Sequence, residues 1–94
     1  MFIVRIEHPV PNFEGWKQAF ENDPVDRKGA GVLRYHIMRA TDDPLYVLID
    51  LEFEDLPQAE RMLAALRQLW GRVEGSVMSN AKARIVEVVE TKNM

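Results

Sequence analysis

Two histidines, two tyrosines and no cysteine limit the chemistry open to this 94-residue chain. Without a thiol there is no cysteine nucleophile, no disulfide and no thiolate metal site. Two histidines fall short of a metal-ligand cluster, so no metal and no cofactor are expected. The remaining acid–base candidates are His8, His36 and Tyr35. His8 precedes Pro9 at a strand end. There an imidazole can serve as a general base at a pocket mouth, or simply cap a loop. Ser76 and Ser79 have no partnered histidine and no strand–turn–helix elbow around them, so a serine nucleophile is unsupported. Gly29 and Gly31 lack the spacing and following lysine of a phosphate cradle.

Two groups of side chains could build a site. Trp16, Phe20, Tyr35, Met62 and Trp70 could line an apolar pocket between helices and sheet, suited to a small apolar or aromatic ligand. The alternative is that they fill the core, as aromatic residues of small domains generally do. The second group is polar. Arg5, Arg34, His36, Asp50 and Glu52 share the sheet face turned away from the helices, either as an acid–base cluster or as ion pairs that set the register of an interface.

These residues are positioned around the run LYVLIDLEF, from Leu45 to Phe53. Val47, Ile49, Leu51 and Phe53 make one apolar face, while Tyr46, Leu48, Asp50 and Glu52 make the other. Such a strand belongs in the middle of a sheet. Phe2 to Glu7 alternates likewise and forms a first strand, ended by Pro9 and Pro11. Asn12 caps a helix that carries Phe13, Trp16 and Phe20 on its apolar side. Asp23-Pro24 opens a short extra turn. A second strand then presents Leu33, Tyr35 and Ile37 to one side and Val32, Arg34, His36 and Met38 to the other. Thr41-Asp42-Asp43-Pro44 is a turn, so strands two and three make a hairpin.

Two registers of that hairpin fit. One sets His36 opposite Asp50 and Arg34 opposite Glu52; the other sets Arg34 opposite Asp50 and His36 opposite Leu48. The first is favoured because it pairs both carboxylates, with Asp50 expected to hold His36 as its imidazolium. Asp55 caps a long second helix with Gln58 in capping-box position, and Leu56, Ala59, Met62, Leu63, Leu66, Leu69, Trp70 and Val73 form its apolar stripe. Residues 71–81 are a polar connection. Lys82 to Glu90 is a last strand whose facing the pattern leaves open.

The order β-α-β-β-α-β gives one α+β domain over residues 1–94, ferredoxin-like, with a four-stranded antiparallel sheet and both helices on one face. Trp16 and Trp70 should then meet beneath the sheet. Ile3, Val32, Met38, Tyr46 and Leu48 are left on an uncovered face, which predicts a sheet-to-sheet homodimer. Arg5, Arg34, His36, Met38, Leu48 and Asp50 are its expected interface.

The segments HPVPNFEGWKQAF, GVLRYHIMRATDDP and VLIDLEFEDLPQAERML resemble the dimeric α+β-barrel proteins of the antibiotic-biosynthesis-monooxygenase-like group over nearly the whole chain. Trp16-Lys17, with Phe20 one turn later and a histidine closing the first strand, is the most recognisable part. The resemblance implies homodimers with facing sheets and, among the group's activities, cofactor-independent oxygenation, haem degradation, cyclisation and isomerisation. Haem-degrading members use an asparagine, a tryptophan and a histidine. Trp70 occupies a position where such a tryptophan lies, but the first strand has no asparagine, and Asn80 but no histidine follows Trp70. That departure argues against haem degradation.

Charge and length narrow the remainder. A net charge of −3 gives no attraction to nucleic acid or an anionic membrane, and the sheet lacks the stacking aromatics of an RNA platform. No apolar run reaches membrane-spanning length, and the start FIVRIEH is too short and charged for a signal peptide. A cytoplasmic protein is expected. Two functions remain: a monooxygenase-like or cyclase-like enzyme acting on an apolar or aromatic small molecule, or a non-catalytic dimeric module that binds a ligand or a partner.

Overall fold

The computed structural model describes residues 1–73 and 80–94. Its elements run β1 (Phe2–Pro9), α1 (Phe13–Glu21), β2 (Arg34–Ala40), β3 (Asp43–Phe53), α2 (Leu56–Val73) and β4 (Lys82–Glu87). This is the β-α-β-β-α-β order expected. The four strands form one antiparallel sheet in the order β2-β3-β1-β4, so β1 and β3 are central.

Strand parity decides what faces what. Val4 lies opposite Leu51 and Ile6 opposite Ile49 on the face beneath the helices. Val4, Val47 and Phe53 are wholly buried there, with Met62 of α2 packed among them. Ala83 and Ile85 of β4 lie opposite Ile6 and Val4, so they face the core and Val86 faces away. Apolar burial at about 25 cal/mol per Å² makes this layer the main source of stability.

Both helix starts follow their caps. Asn12 Oδ1 accepts the Gly15 N–H at 2.8 Å, and Asp55 Oδ1 accepts the Gln58 N–H at 2.9 Å. The Gln58 side-chain amide lies against Gly31, where φ is +100° and a Cβ would come within 2.6 Å of Nε2. The positive φ is what favours glycine there, since the flexible Gln58 amide could give way to a Cβ.

Several boundaries differ from expectation. α2 continues through Gly71 to Val73, since a lone glycine in a helix costs only about 1 kcal/mol. The rest of the expected 71–81 connection, with Ser76 and Ser79, falls largely outside the described residues. β2 starts at Arg34, and Leu33 is 57% exposed at its edge instead of buried. Val32, expected on the uncovered face, packs against the core before the strand begins. Asp43 and Pro44 belong to β3, leaving Thr41-Asp42 as the turn, with a register shift at Arg39/Ala40. No helix among the described residues is long and apolar enough to cross a membrane.

Candidate functional site

A cavity of about 290 Å³ lies between the helices and the sheet. Its floor is Ile6 and His8 of β1 with Ile49 and Leu51 of β3. One wall is Trp16, Ala19 and Phe20 of α1; another is Leu66, Leu69 and Trp70 of α2. The loop after α1 closes it with Asn22, Pro24, Val25 and Arg27. A void of about 150 Å³ already accepts benzene, so this one has room for a second fused ring. The floor is apolar because alternate strand residues face the helices. The walls are aromatic because Trp16 and Phe20 stand one turn apart.

His8 is the basic group of the floor. It is 2% exposed, and its ring meets Trp16 edge-on, with centroids 5.8 Å apart. Strand parity explains the burial: His8 lies opposite Val47 on the inner face. Nδ1 is 3.1 Å from the Pro9 carbonyl oxygen, which can only accept, so Nδ1 carries the proton. In the neutral ring Nε2 is then the basic nitrogen, the tautomer a general base requires.

The aromatic wall is continuous. Trp16, 5% exposed, contacts Phe13 and Phe20, and Phe20 contacts Tyr35. Trp16 and Trp70 line the cavity from opposite helices. Tyr35 and Met62 do not line it: Tyr35 is on an edge strand, 43% exposed, and Met62 is fully enclosed by the core. Arg27 was not evident from the sequence. Its signal was the i,i+4 spacing from Asp23, which the turn brings to 3.4 Å.

The opposite face of the sheet is polar yet partly dry. The register sets His36 opposite Asp50 and Arg34 opposite Glu52, as favoured. Arg34 pairs with Glu52 as expected, whereas Asp50 takes a partner other than His36. Asp50 takes Arg5 of β1 in a two-point pair, with Nε at 2.9 Å from Oδ1 and Nη2 at 2.8 Å from Oδ2. Arg5 sits directly opposite Asp50, and its planar guanidinium matches both oxygens, which one imidazole cannot do. His36 lies nearest Glu52 instead, at 3.8 Å, and Arg34 Nε donates to the same Glu52 oxygen at 2.8 Å. These pairs leave Asp50 8% and Glu52 7% exposed on a face that none of the described elements covers.

Asp50 holds the Arg5 guanidinium above its ordinary pKa, first through the hydrogen bonds and then through its charge. Tyr46 donates to Glu7 Oε1 at 2.8 Å, and that hydrogen bond raises its phenol above the usual value. Met38 and Leu48 lie opposite each other between these polar groups. Among the described residues no group of three or more His, Cys, Asp or Glu side chains is gathered to hold a metal ion.

This is a small α+β domain with an apolar cavity under its sheet. Its parallels among known proteins are structural, for no protein-family model matches the chain and no curated protein matches its sequence. A candidate antibiotic biosynthesis monooxygenase of Deinococcus radiodurans superposes with a TM-score of 0.70 at 17% identity, over 100% of this chain and 98% of that one. A variant of SnoaB, a cofactor-independent oxygenase of Streptomyces nogalater, gives 0.73 at 12% identity, over 96% and 93%. A dimeric ferredoxin-like protein from an uncultured marine organism gives 0.67 at 16% identity, over 97% of each chain. The similarity is one of fold, and its neighbours are the antibiotic-biosynthesis-monooxygenase-like proteins that the sequence resembles.

Proposed function

We propose that this chain is a cofactor-independent enzyme of the monooxygenase-like or cyclase-like kind, acting on an apolar or aromatic small molecule in the cavity. The observation that carries the reading is His8, a buried imidazole on the floor of an aromatic-walled cavity, with its proton placed on Nδ1 by Pro9. Nε2 would take a proton from an acidic O–H or C–H of the bound molecule. The fold shared with the oxygenase SnoaB supports this direction.

The working unit is a homodimer joined through the outward sheet face. One such face is of the order of the ~800 Å² per partner that a standard interface buries. Near-buried Asp50 and Glu52, already paired within the chain, suit a surface that loses its water on association.

The test combines oxygen uptake and product analysis over a panel of hydroxylated aromatic compounds with the variant His8→Gln. Turnover should fall at least ~100-fold, as loss of a general base does, while calorimetric binding of the same compound persists. Undiminished turnover in His8→Gln would remove the proposed base. Binding without turnover in the wild type would make the chain a binding module. Sedimentation at micromolar concentration showing a monomer would remove the dimer.

A further inference from the structure

Arg27 is an unusual residue to bring against an apolar cavity. Its side chain is only 12% exposed, and its guanidinium carbon lies 3.8 Å over the Phe20 ring and 5.1 Å from the Tyr35 ring. Taking a guanidinium out of water is costly unless its N–H groups find acceptors. Two acceptors are present, and both engage one nitrogen. Nη1 donates to the Phe20 carbonyl at 2.7 Å and lies 3.4 Å from Asp23 Oδ1. That carboxylate oxygen also accepts the Arg27 backbone N–H at 2.9 Å, so it caps the turn as well.

A guanidinium has five N–H donors. The Nε–H and both Nη2–H groups of Arg27 have no acceptor among the described residues. Nε and Nη2 form one edge of the plane, with two parallel N–H bonds spaced to match the two oxygens of a carboxylate. Phe20 and the turn fix the guanidinium, so little side-chain freedom remains to be lost on binding.

We propose that the cavity takes a ring compound bearing one carboxylate, gripped by the Nε/Nη2 edge of Arg27. This inference rests on the reading of the cavity as a binding site and adds the chemical class of its occupant. With the carboxylate fixed at the loop wall, the apolar body extends among Trp16, Phe20 and Trp70 toward the floor where His8 lies. The volume of about 290 Å³ suits one or two fused rings. A phenol offers a single oxygen and fills half the fork, so a carboxylate is the better match. Arg27 acts here as a specificity-determining residue.

Calorimetric titration of the intact protein at pH 7 with 2-naphthoate, 2-naphthamide and 2-naphthol tests this. These probes share a ring body and differ in the head group: a carboxylate, a neutral amide and a phenol. Naphthoate should bind at least about tenfold more tightly than either other probe, the size of effect that charge-assisted pairing gives. Arg27→Gln should abolish the preference, bringing naphthoate down to the affinity that the same variant shows for naphthamide. Arg27→Lys, which keeps the charge and loses the fork, should recover only part of the preference. Equal affinity for all three probes would overturn the proposal while leaving the cavity a binding site, and so would tightest binding of naphthol. Binding of none would overturn the cavity reading as well. Should Arg27→Gln fail to fold, the wild-type ratio of naphthoate to naphthamide decides alone.

Discussion

Replacing Arg5 with methionine tests how the polar sheet face is held together. The substitution keeps most of the aliphatic stem and removes both hydrogen bonds to Asp50 at once. The remaining carboxylate side chain is 11% exposed, with neither oxygen compensated by its former partner. Breaking a fully buried ion pair from one side costs about 3–5 kcal/mol. Arg5 is itself 49% exposed, so water enters where the guanidinium lay and the loss must be discounted. About 2 kcal/mol is the expected cost.

Arg84 lies opposite Arg5 on β4 and could swing toward Asp50, so the measurement belongs in an Arg84→Gln background as well. The double variant Arg5→Met/Asp50→Leu should recover most of the loss, because two apolar groups leave no charge stranded. Urea unfolding by fluorescence, at two widely separated protein concentrations, gives these differences and any added contribution from dimerisation. A cost for Arg5→Met within about 0.5 kcal/mol, the range of an ordinary surface change, would refute the reasoning.

Trp16→Ala should cost about 3–5 kcal/mol, because Trp16 is 5% exposed within the core. Trp70 is only partly buried and borders the cavity, so Trp70→Ala should cost about half as much in urea unfolding. Gly31→Ala should destabilise by about 1–2 kcal/mol through its positive φ and the clash with Gln58. Adding Gln58→Ala should relieve only the clash, which a thermal melt of the pair would resolve. Tyr46 should ionise above the ordinary 10 in a Tyr35→Phe background followed by ultraviolet absorbance, and Glu7→Gln should lower that midpoint. A raised folded pKa means the stabilisation is complete below the unfolded value and is lost as pH rises through the folded one. On the alkaline side, the Tyr46–Glu7 link should therefore persist past the ordinary phenol range and weaken as the raised folded pKa is passed.

Periodicity made the scaffold legible. Alternation over 45–53 and the 3.6-residue stripe from Leu56 placed the central strand and the long helix. Asn12 and Asp55 marked both helix starts, because a side-chain cap is a local event. Parity and charge together selected the hairpin register found. Side-chain partners across non-adjacent segments were harder. Hairpin pairing alone points Asp50 to His36. Its closer cation, Arg5, comes from a strand more than forty residues away in sequence. Arg27 and Asn22 were missed for a related reason: an irregular loop has no period to show which side chains turn inward. Leu33 was misplaced because alternation continues past the point where backbone pairing ends.

The strand order β2-β3-β1-β4 also dictates when the sheet can close during folding. Among the described strands the β2–β3 hairpin is the one pairing between neighbours in sequence, and a two-residue turn joins them. β1 has no early neighbour; it must wait for β3 on one side and for the far end of the chain on the other. Closing such large loops costs entropy before any contact offsets it. In pulse-labelled refolding, protection of the amides shared by β2 and β3 should precede that of the β1–β4 pair. The reverse order would show that the helices, not the hairpin, organise the first collapse.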